Sequence, residues 1–172
     1  YKPYFMAGKF DYVIGNPPWF TYSSIRNEAY QNTLDALARA YDVKPERAAN
    51  YPHLEIAAIF LAYCSSFFLK EHGQIAFVLP RAFMSADHHD NTRRGMVEGV
   101  SLTRVWDLDG VSPLFRVPTC VLFAERPSYW PGRKSDFIEG KQKNLNRYTG
   151  AGIDGRNFSG SLSVHNGNWN HA

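Results

Sequence analysis

Two short apolar runs, FDYVIG at residues 10–15 and QIAFVLP at 74–80, each stop against proline, and the chain between them carries two helical patterns. Runs this short, rich in Val, Ile, Phe and Tyr and closed by Gly or Pro, predict buried strands. Strands interleaved with helices predict an α/β layer fold with a largely parallel sheet. The first helix is expected over 24–41, with Ile25, Ala29, Leu34, Leu37, Ala38 and Tyr41 near one face. Ser23 or Ser24 is its expected N-cap and Lys44-Pro45 marks its end. The second is expected within HLEIAAIFLAYCSSFFLKEHG, apolar on most sides, sandwiched in the domain and stopping at Gly73.

After Pro80 the loop RAFMSADHHD leads to a short helix expected near 91–98. LTRVWDLDG, with Leu102, Val105, Trp106 and Leu108, and VPTCVLFAER at 117–126 predict two more strands. Only GVSPLFRV separates them, too short for a parallel crossover, so this last pair is expected to be antiparallel.

With 172 residues, 44% of them apolar, the chain can bury one ordinary core. Its first residues hold neither a signal pattern nor a long apolar run, which predicts a soluble, cytoplasmic protein with no membrane partner. Cys64 and Cys120 lie in apolar stretches and are expected as reduced core thiols, neither disulfide nor metal ligands. The net charge of +3 makes no global case for a polyanion partner. Residues 1–132 carry 13 basic and 13 acidic side chains, and residues 133–172 carry six and three. From Pro127 the composition turns to Gly, Asn and Ser with weak periodicity, predicting a linker or peripheral extension with one strand near 161–164.

The chemistry centres on Asn16-Pro17-Pro18-Trp19 at the end of the first strand. Ligands of open α/β sheets bind at the carboxyl ends of strands. Pro17 and Pro18 lack N–H groups and have fixed φ, so the backbone there is stiff and its carbonyls are free for a ligand. The Asn16 side-chain oxygen and the Pro17 carbonyl can together accept both hydrogens of an exocyclic amine, localising its lone pair for attack on an electrophilic carbon. Trp19 offers a face on which the ring bearing that amine can stack.

Asn16-Pro17-Pro18-Trp19 resembles the (N/D)PP(Y/F/W) signature of S-adenosylmethionine-dependent amino-methyltransferases, particularly the DNA adenine-N6 methyltransferases of type I and type IIG restriction-modification systems. Further segments resemble that family in the same order: the helix, glycine turn, strand and post-proline loop of HLEIAAIFLAYCSSFFLKEHGQIAFVLPRAFM, then the closing hairpin of VWDLDGVSPLFRVPTCVLFAER. The resemblance covers about residues 10–126. It implies the later half of a Rossmann-like methyltransferase fold, with a mixed sheet and a final antiparallel strand pair. It also implies methyl transfer from S-adenosylmethionine to a flipped adenine in double-stranded DNA, with Asn16, Pro17, Pro18 and Trp19 catalytic and with Trp19 and Phe115 clamping the base. Asn16 is the one residue expected to contact the cofactor, and no covalent enzyme intermediate is needed.

The family's Gly-rich cofactor turn follows an earlier strand, and the residues before Phe10 are too few to hold it. The sequence is therefore expected to be a piece of a longer protein, inactive and without a tight cofactor site by itself. Residues 1–126 would be part of the catalytic domain, and residues 127–172 a linker or the start of a target-recognition extension. GAGIDG at 150–155 formally matches G-x-G-x-x-G, but KNLNRYT before it does not read as a buried strand and RNFSGS after it does not read as a helix, so an ordinary turn is expected.

Other residues are less distinctive. Asp87, His88, His89 and Asp90 suggest a metal site, yet adjacent residues project divergently and a polar loop is expected. Glu55 reads as a helix-start carboxylate facing the dipole, at a position where the family tends to be acidic. Arg81, Arg93 and Arg94 are candidate phosphate contacts, and Phe20 and Tyr22 candidate pocket residues. Arg133, Lys134, Lys141, Lys143 and Arg147, spaced with Phe137 and Tyr148, suit either entry to a DNA-recognition region or a solvated extension. The expected function is that of a site-specific adenine-N6 methyltransferase working with specificity or restriction subunits. An RNA or protein-glutamine N-methyltransferase, or an inactive nucleic-acid-binding domain of the same fold, are the alternatives.

Overall fold

FDYVIG forms strand β1 (Phe10–Gly15), and the chain then crosses one face of a sheet through two helices, α1 (Glu28–Ala40) and α2 (Ile56–Phe68). It returns as β2 (Leu69–Pro80), turns through a one-turn helix α3 (Asp90–Arg93), and continues as β3 (Ser101–Asp107) and β4 (Thr119–Glu125). This computed structural model describes residues 3–108, 115–128, 146–150 and 162–165, the last two stretches as backbone strands β5 (Asn146–Gly150) and β6 (Leu162–His165). The sheet order is β1-β2-β4-β3-β5-β6. β1 and β2 are parallel, β4 is antiparallel to both β2 and β3, and β5 runs parallel to β3. The short connection between β3 and β4 thus yields the antiparallel pair it requires.

Burial alternates along β2 and β4. Ile75, Phe77, Leu79, Leu122 and Ala124 are buried on the face that packs against α2, whereas Ala76, Val78, Val121 and Phe123 are half-buried on the other. Pairing fixes which side chains share a face: Tyr12 opposes Gln74, and Ile14 opposes Ala76. Both lie on the more open face, where Tyr12 is 68% and Ile14 83% exposed. The expectation of a buried strand at 10–15 is therefore corrected: β1 has no second strand neighbour among the described residues, and only half of it packs. Tyr12 and Ile14 line a groove of about 330 Å³ with Gln74, Ala76, Arg104 and Phe123.

The first helix starts at Glu28 rather than residue 24. Asn27, neither Ser23 nor Ser24, caps it by accepting a hydrogen bond from the Tyr30 N–H at 2.9 Å. Ser24 instead bonds back to the Thr21 carbonyl and closes a separate 3-10 turn. Leu34 and Ala38 are buried as expected, but Ala29 is exposed. The second helix lies between α1 and the sheet, with Ile56, Ala57, Ala58, Ile59, Leu61 and Ala62 buried.

That helix ends at Phe68, not Gly73, because the next residues find strand partners. Leu69 opposes Phe10, and the His72 N–H donates to the Arg126 carbonyl at 2.8 Å. His72 takes φ 61°, and a Cβ on Gly73 would meet the Lys70 carbonyl oxygen at 2.9 Å, so glycine is needed where the chain doubles back into β2. In the post-Pro80 loop, 3-10 turns at Arg81–Met84 and Asp87–His89 precede the single turn of α3, shorter than the helix expected over 91–98. Beyond residue 128, β6 overlaps the expected strand. β5 lies outside the expected elements: NRYTG has no apolar alternation, and its pairing is a backbone matter. Among the described residues no helix is long and apolar enough to cross a membrane.

Candidate active site

Because β1 and β2 are parallel, the segments after Gly15 and after Pro80 leave the same end of the sheet. In the first, Pro17 is buried and wedges the turn against the core, while Asn16 and Pro18 on either side are exposed. Two successive prolines hold this backbone extended. Trp19 is half-buried, and its indole N–H donates to the Val78 carbonyl at 3.2 Å, which fixes the ring to the end of β2. The Phe115 ring, 40% exposed, stands 5.3 Å from the Trp19 ring, tilted by 51°. The two aromatics come from sites 96 residues apart in sequence, so the fold and not local geometry brings them together.

The chain beyond Trp19 is clamped to the start of α2. The Ile56 N–H donates to the Phe20 carbonyl at 2.8 Å, the Tyr22 N–H to the Leu54 carbonyl at 2.8 Å, and Thr21 bridges Glu55 antiparallel. Tyr22 packs on Tyr51 with ring centroids 4.4 Å apart, a core contact. Phe20 is 62% exposed and remains available to a ligand.

Glu55 sits at the N-cap of α2 but does not cap it. Its Oε2 instead meets His88 Nε2 at 2.9 Å and His89 Nε2 in direct contact. Burial pushes the Glu55 carboxyl up, but the bonds from His88 and His89 outweigh it and hold the group well below the usual carboxylate range. Burial lowers the His89 pKa, partly offset by Glu55. His89 is 1% exposed and stacks on Phe83 with ring centroids 4.3 Å apart. One expectation is thereby corrected: the Asp87–Asp90 segment is no simple polar loop, because the 3-10 turn rotates both imidazoles toward one carboxylate instead of letting them diverge. Glu55 stands at the start of the helix as expected and also accepts from both side chains. Sequence reasoning missed this cluster because its partners lie 33 and 34 residues apart.

The arginine candidates are engaged within the chain. Arg81 makes a fork to buried Asp107, Nε to Oδ1 at 3.0 Å and Nη2 to Oδ2 at 3.0 Å. Arg93 donates to the carbonyls of Ala86 at 2.7 Å and Phe83 at 3.2 Å. Arg94 reaches Asp90 at 3.3 Å and Glu46 at 3.4 Å. Arg81 ties the loop to β3 and Arg94 ties it to the segment after α1, while Arg93 braces the loop internally. Cys64 and Cys120 are free thiols, as expected, and burial pushes them up to about 11 and about 12. Gly150, the first glycine of GAGIDG, ends the backbone strand β5. Residues 151–155 lie outside the described residues, as do Arg133, Lys134, Phe137, Lys141 and Lys143.

Residues 2–115 match the family model of the Eco57I restriction-modification methylase. The type IIG restriction endonuclease BpuSI aligns over 84% of this chain and 15% of its own, at 14% identity and a TM-score of 0.54. The ATP-dependent Type ISP restriction-modification enzyme LlaBIII bound to DNA aligns over 80% of this chain and 10% of its own, at 14% identity and a TM-score of 0.52. These likenesses are of fold, and the chain spans only a small part of either enzyme's length. No curated protein sequence matches it.

Proposed function

Because the chain belongs to the Eco57I restriction-modification methylase family, we propose that it carries the acceptor side of an adenine-N6 DNA methyltransferase active site. Its sheet is the later half of a Rossmann-like, S-adenosylmethionine-dependent methyltransferase fold. The observation that carries the proposal is the Asn16-Pro17-Pro18-Trp19 turn leaving the carboxyl end of β1 with the Phe115 ring 5.3 Å from Trp19.

In this reading the Asn16 oxygen and the Pro17 carbonyl accept the two N6 hydrogens of an adenine extruded from duplex DNA. That draws the nitrogen toward tetrahedral geometry and directs its lone pair outward. S-adenosylmethionine, when bound, supplies an electrophilic methyl carbon. Its sulfonium would leave as a neutral thioether, and the N6 amine held by Asn16 and Pro17 would give up its extra proton to solvent. No enzyme nucleophile takes part, in keeping with the raised pKa values of both thiols. Asn16 borders donor and acceptor alike.

Trp19 and Phe115 form the base clamp. A base between two rings needs two contacts of about 3.5–4 Å, or about 7 Å between ring planes. At 5.3 Å and a 51° tilt the pair is closed, and the more exposed Phe115 is the ring that swings aside, since Trp19 is held by its bond to Val78. Residues 1–126 are assigned to the catalytic domain, and residues 127–172 to a linker or target-recognition extension. Specificity or restriction subunits are the partners of the whole protein.

Asn16→Ala in the full-length protein tests the assignment. Loss of one such polar contact lowers kcat by roughly 10²–10³-fold, with DNA binding and melting temperature unchanged because Asn16 is exposed. Unchanged methylation rejects the role.

A further inference from the structure

The cluster of Glu55, His88 and His89 has no part in the methyl-transfer chemistry above, yet it gathers three metal-ligating side chains from two distant segments. Their ligand atoms, one carboxylate oxygen and two imidazole nitrogens, all lie within 4.8 Å of one another. We propose that Glu55, His88 and His89 form a binding site for a divalent transition-metal ion of the zinc class, joining the loop after β2 to the segment that follows Trp19.

Two imidazoles and one carboxylate, with an open fourth position, make a three-ligand set that suits Zn²⁺ and its borderline neighbours. Ligands at about 2.0–2.2 Å from a tetrahedral ion stand about 3.3 Å from one another. His88 Nε2 and Glu55 Oε2, now 2.9 Å apart, part by about 0.4 Å to admit the ion, and His89 Nε2, in closer contact with the same oxygen, parts further. The rings of His88 and His89 are 4.4 Å apart and tilted by 58°, so their nitrogens approach the carboxylate from different directions.

Access and support are divided between the two histidines. His88 and Glu55 retain 17% and 11% side-chain exposure, a route for an ion and for the water that completes its shell. The His89 side chain is fully buried and its ring is held by Phe83. Its Nδ1 has no hydrogen-bond partner among the described residues. A metal on Nε2 places a proton on that Nδ1 without an acceptor, and metal-bound histidines usually have one. The ion is therefore exchangeable rather than permanently held.

The location gives the ion its consequence. Glu55 bridges Thr21, and its neighbour Ile56 bonds the Phe20 carbonyl, so the carboxylate is fixed to the chain just after the acceptor turn. An ion at Glu55, His88 and His89 fastens the post-β2 loop to that chain and stiffens both segments beside Trp19.

The test titrates Co²⁺ into chelator-stripped full-length protein, follows the visible absorption of a four-coordinate ion, and then displaces it with Zn²⁺. Wild-type protein is expected to show an absorbing site that Zn²⁺ empties. His88→Ala and Glu55→Gln, each verified as folded by circular dichroism, weaken that Co²⁺ binding by roughly 10–100-fold or more. His72→Ala, which removes an exposed histidine paired with Glu125, leaves it unchanged. Absence of the absorbing site, wild-type affinity in His88→Ala and Glu55→Gln, or loss only in His72→Ala overturns the proposal. Methylation is not the readout, so failure here is separate from failure of the acceptor-site assignment.

Discussion

The two loops that leave the carboxyl ends of β1 and β2 lie at the same end of the sheet and are made rigid in opposite ways. The loop after β1 owes its stiffness to covalent geometry, because Pro17 and Pro18 fix φ locally and leave Asn16 exposed. The loop after β2 owes its order to hydrogen bonds, chiefly to distant partners: Arg81 to Asp107 and both histidines to Glu55, with Arg93 bonding two carbonyls of the loop itself. A loop fixed by its own sequence can present free acceptors to a substrate. One fixed by tertiary bonds spends its polar groups on the fold. Substitutions in the first loop should change chemistry and spare stability, and those in the second should do the reverse.

The largest effect on the stability side is expected from Arg81→Ala. Asp107 is 2% exposed, and removing the guanidinium leaves a buried carboxylate short of its main countercharge, at a cost of about 3 kcal/mol. Chemical denaturation should show the midpoint falling, and an unchanged midpoint would erase the contrast between the loops. Next come Trp19→Ala and Phe115→Ala, each expected to lower kcat/KM for methyl transfer by the value of one base–aromatic contact, about 1–3 kcal/mol. Phe115→Ala should leave the melting temperature in place because the ring is exposed. Trp19→Ala should lower it slightly, since its indole bond to Val78 is lost. Equal rates for wild type and both variants would separate the aromatic pair from the reaction.

A smaller effect appears on acidification in chelator-containing buffer. His89 is held below its ordinary 6.5 and Glu55 below its ordinary 4.5, so in both ranges the unfolded chain binds more protons than the folded one. Stability should begin to fall as pH drops below about 6.5, when the unfolded state gains His89 protonation, and fall further below about 4.5 as it gains that of Glu55. Glu55→Gln should remove the lower step and keep the upper one. A melting temperature flat from neutrality to pH 5 would contradict the buried, neutral state of His89.

The same contrast explains what the sequence discloses. The strands at 10–15, 74–80, 101–107 and 119–125, the sandwiched helix and the antiparallel pairing of β3 with β4 are all readable, because apolar periodicity and connection length act locally. Asn16-Pro17-Pro18-Trp19 is readable for the same reason: its stiffness resides in its own residues. The end of α2 is not, since Leu69 to Gly73 become strand only when Phe10 and Arg126 stand beside them. Nor are the exposure of Tyr12 and Ile14, set by which strands flank β1, or the convergence of His88 and His89 on Glu55, set by a turn that adjacent-residue reasoning reads as divergent.

The central claim concerns the acceptor, so the most direct measurement identifies the methylated product. The full-length protein with isotopically labelled S-adenosylmethionine is offered duplex DNA, structured RNA and a glutamine-containing peptide, and the products are resolved by mass spectrometry. The label is predicted in N6-methyladenine from DNA, and to disappear with Asn16→Ala. Label in RNA, in the glutamine side chain or in cytosine, or in none of the acceptors, would contradict the account.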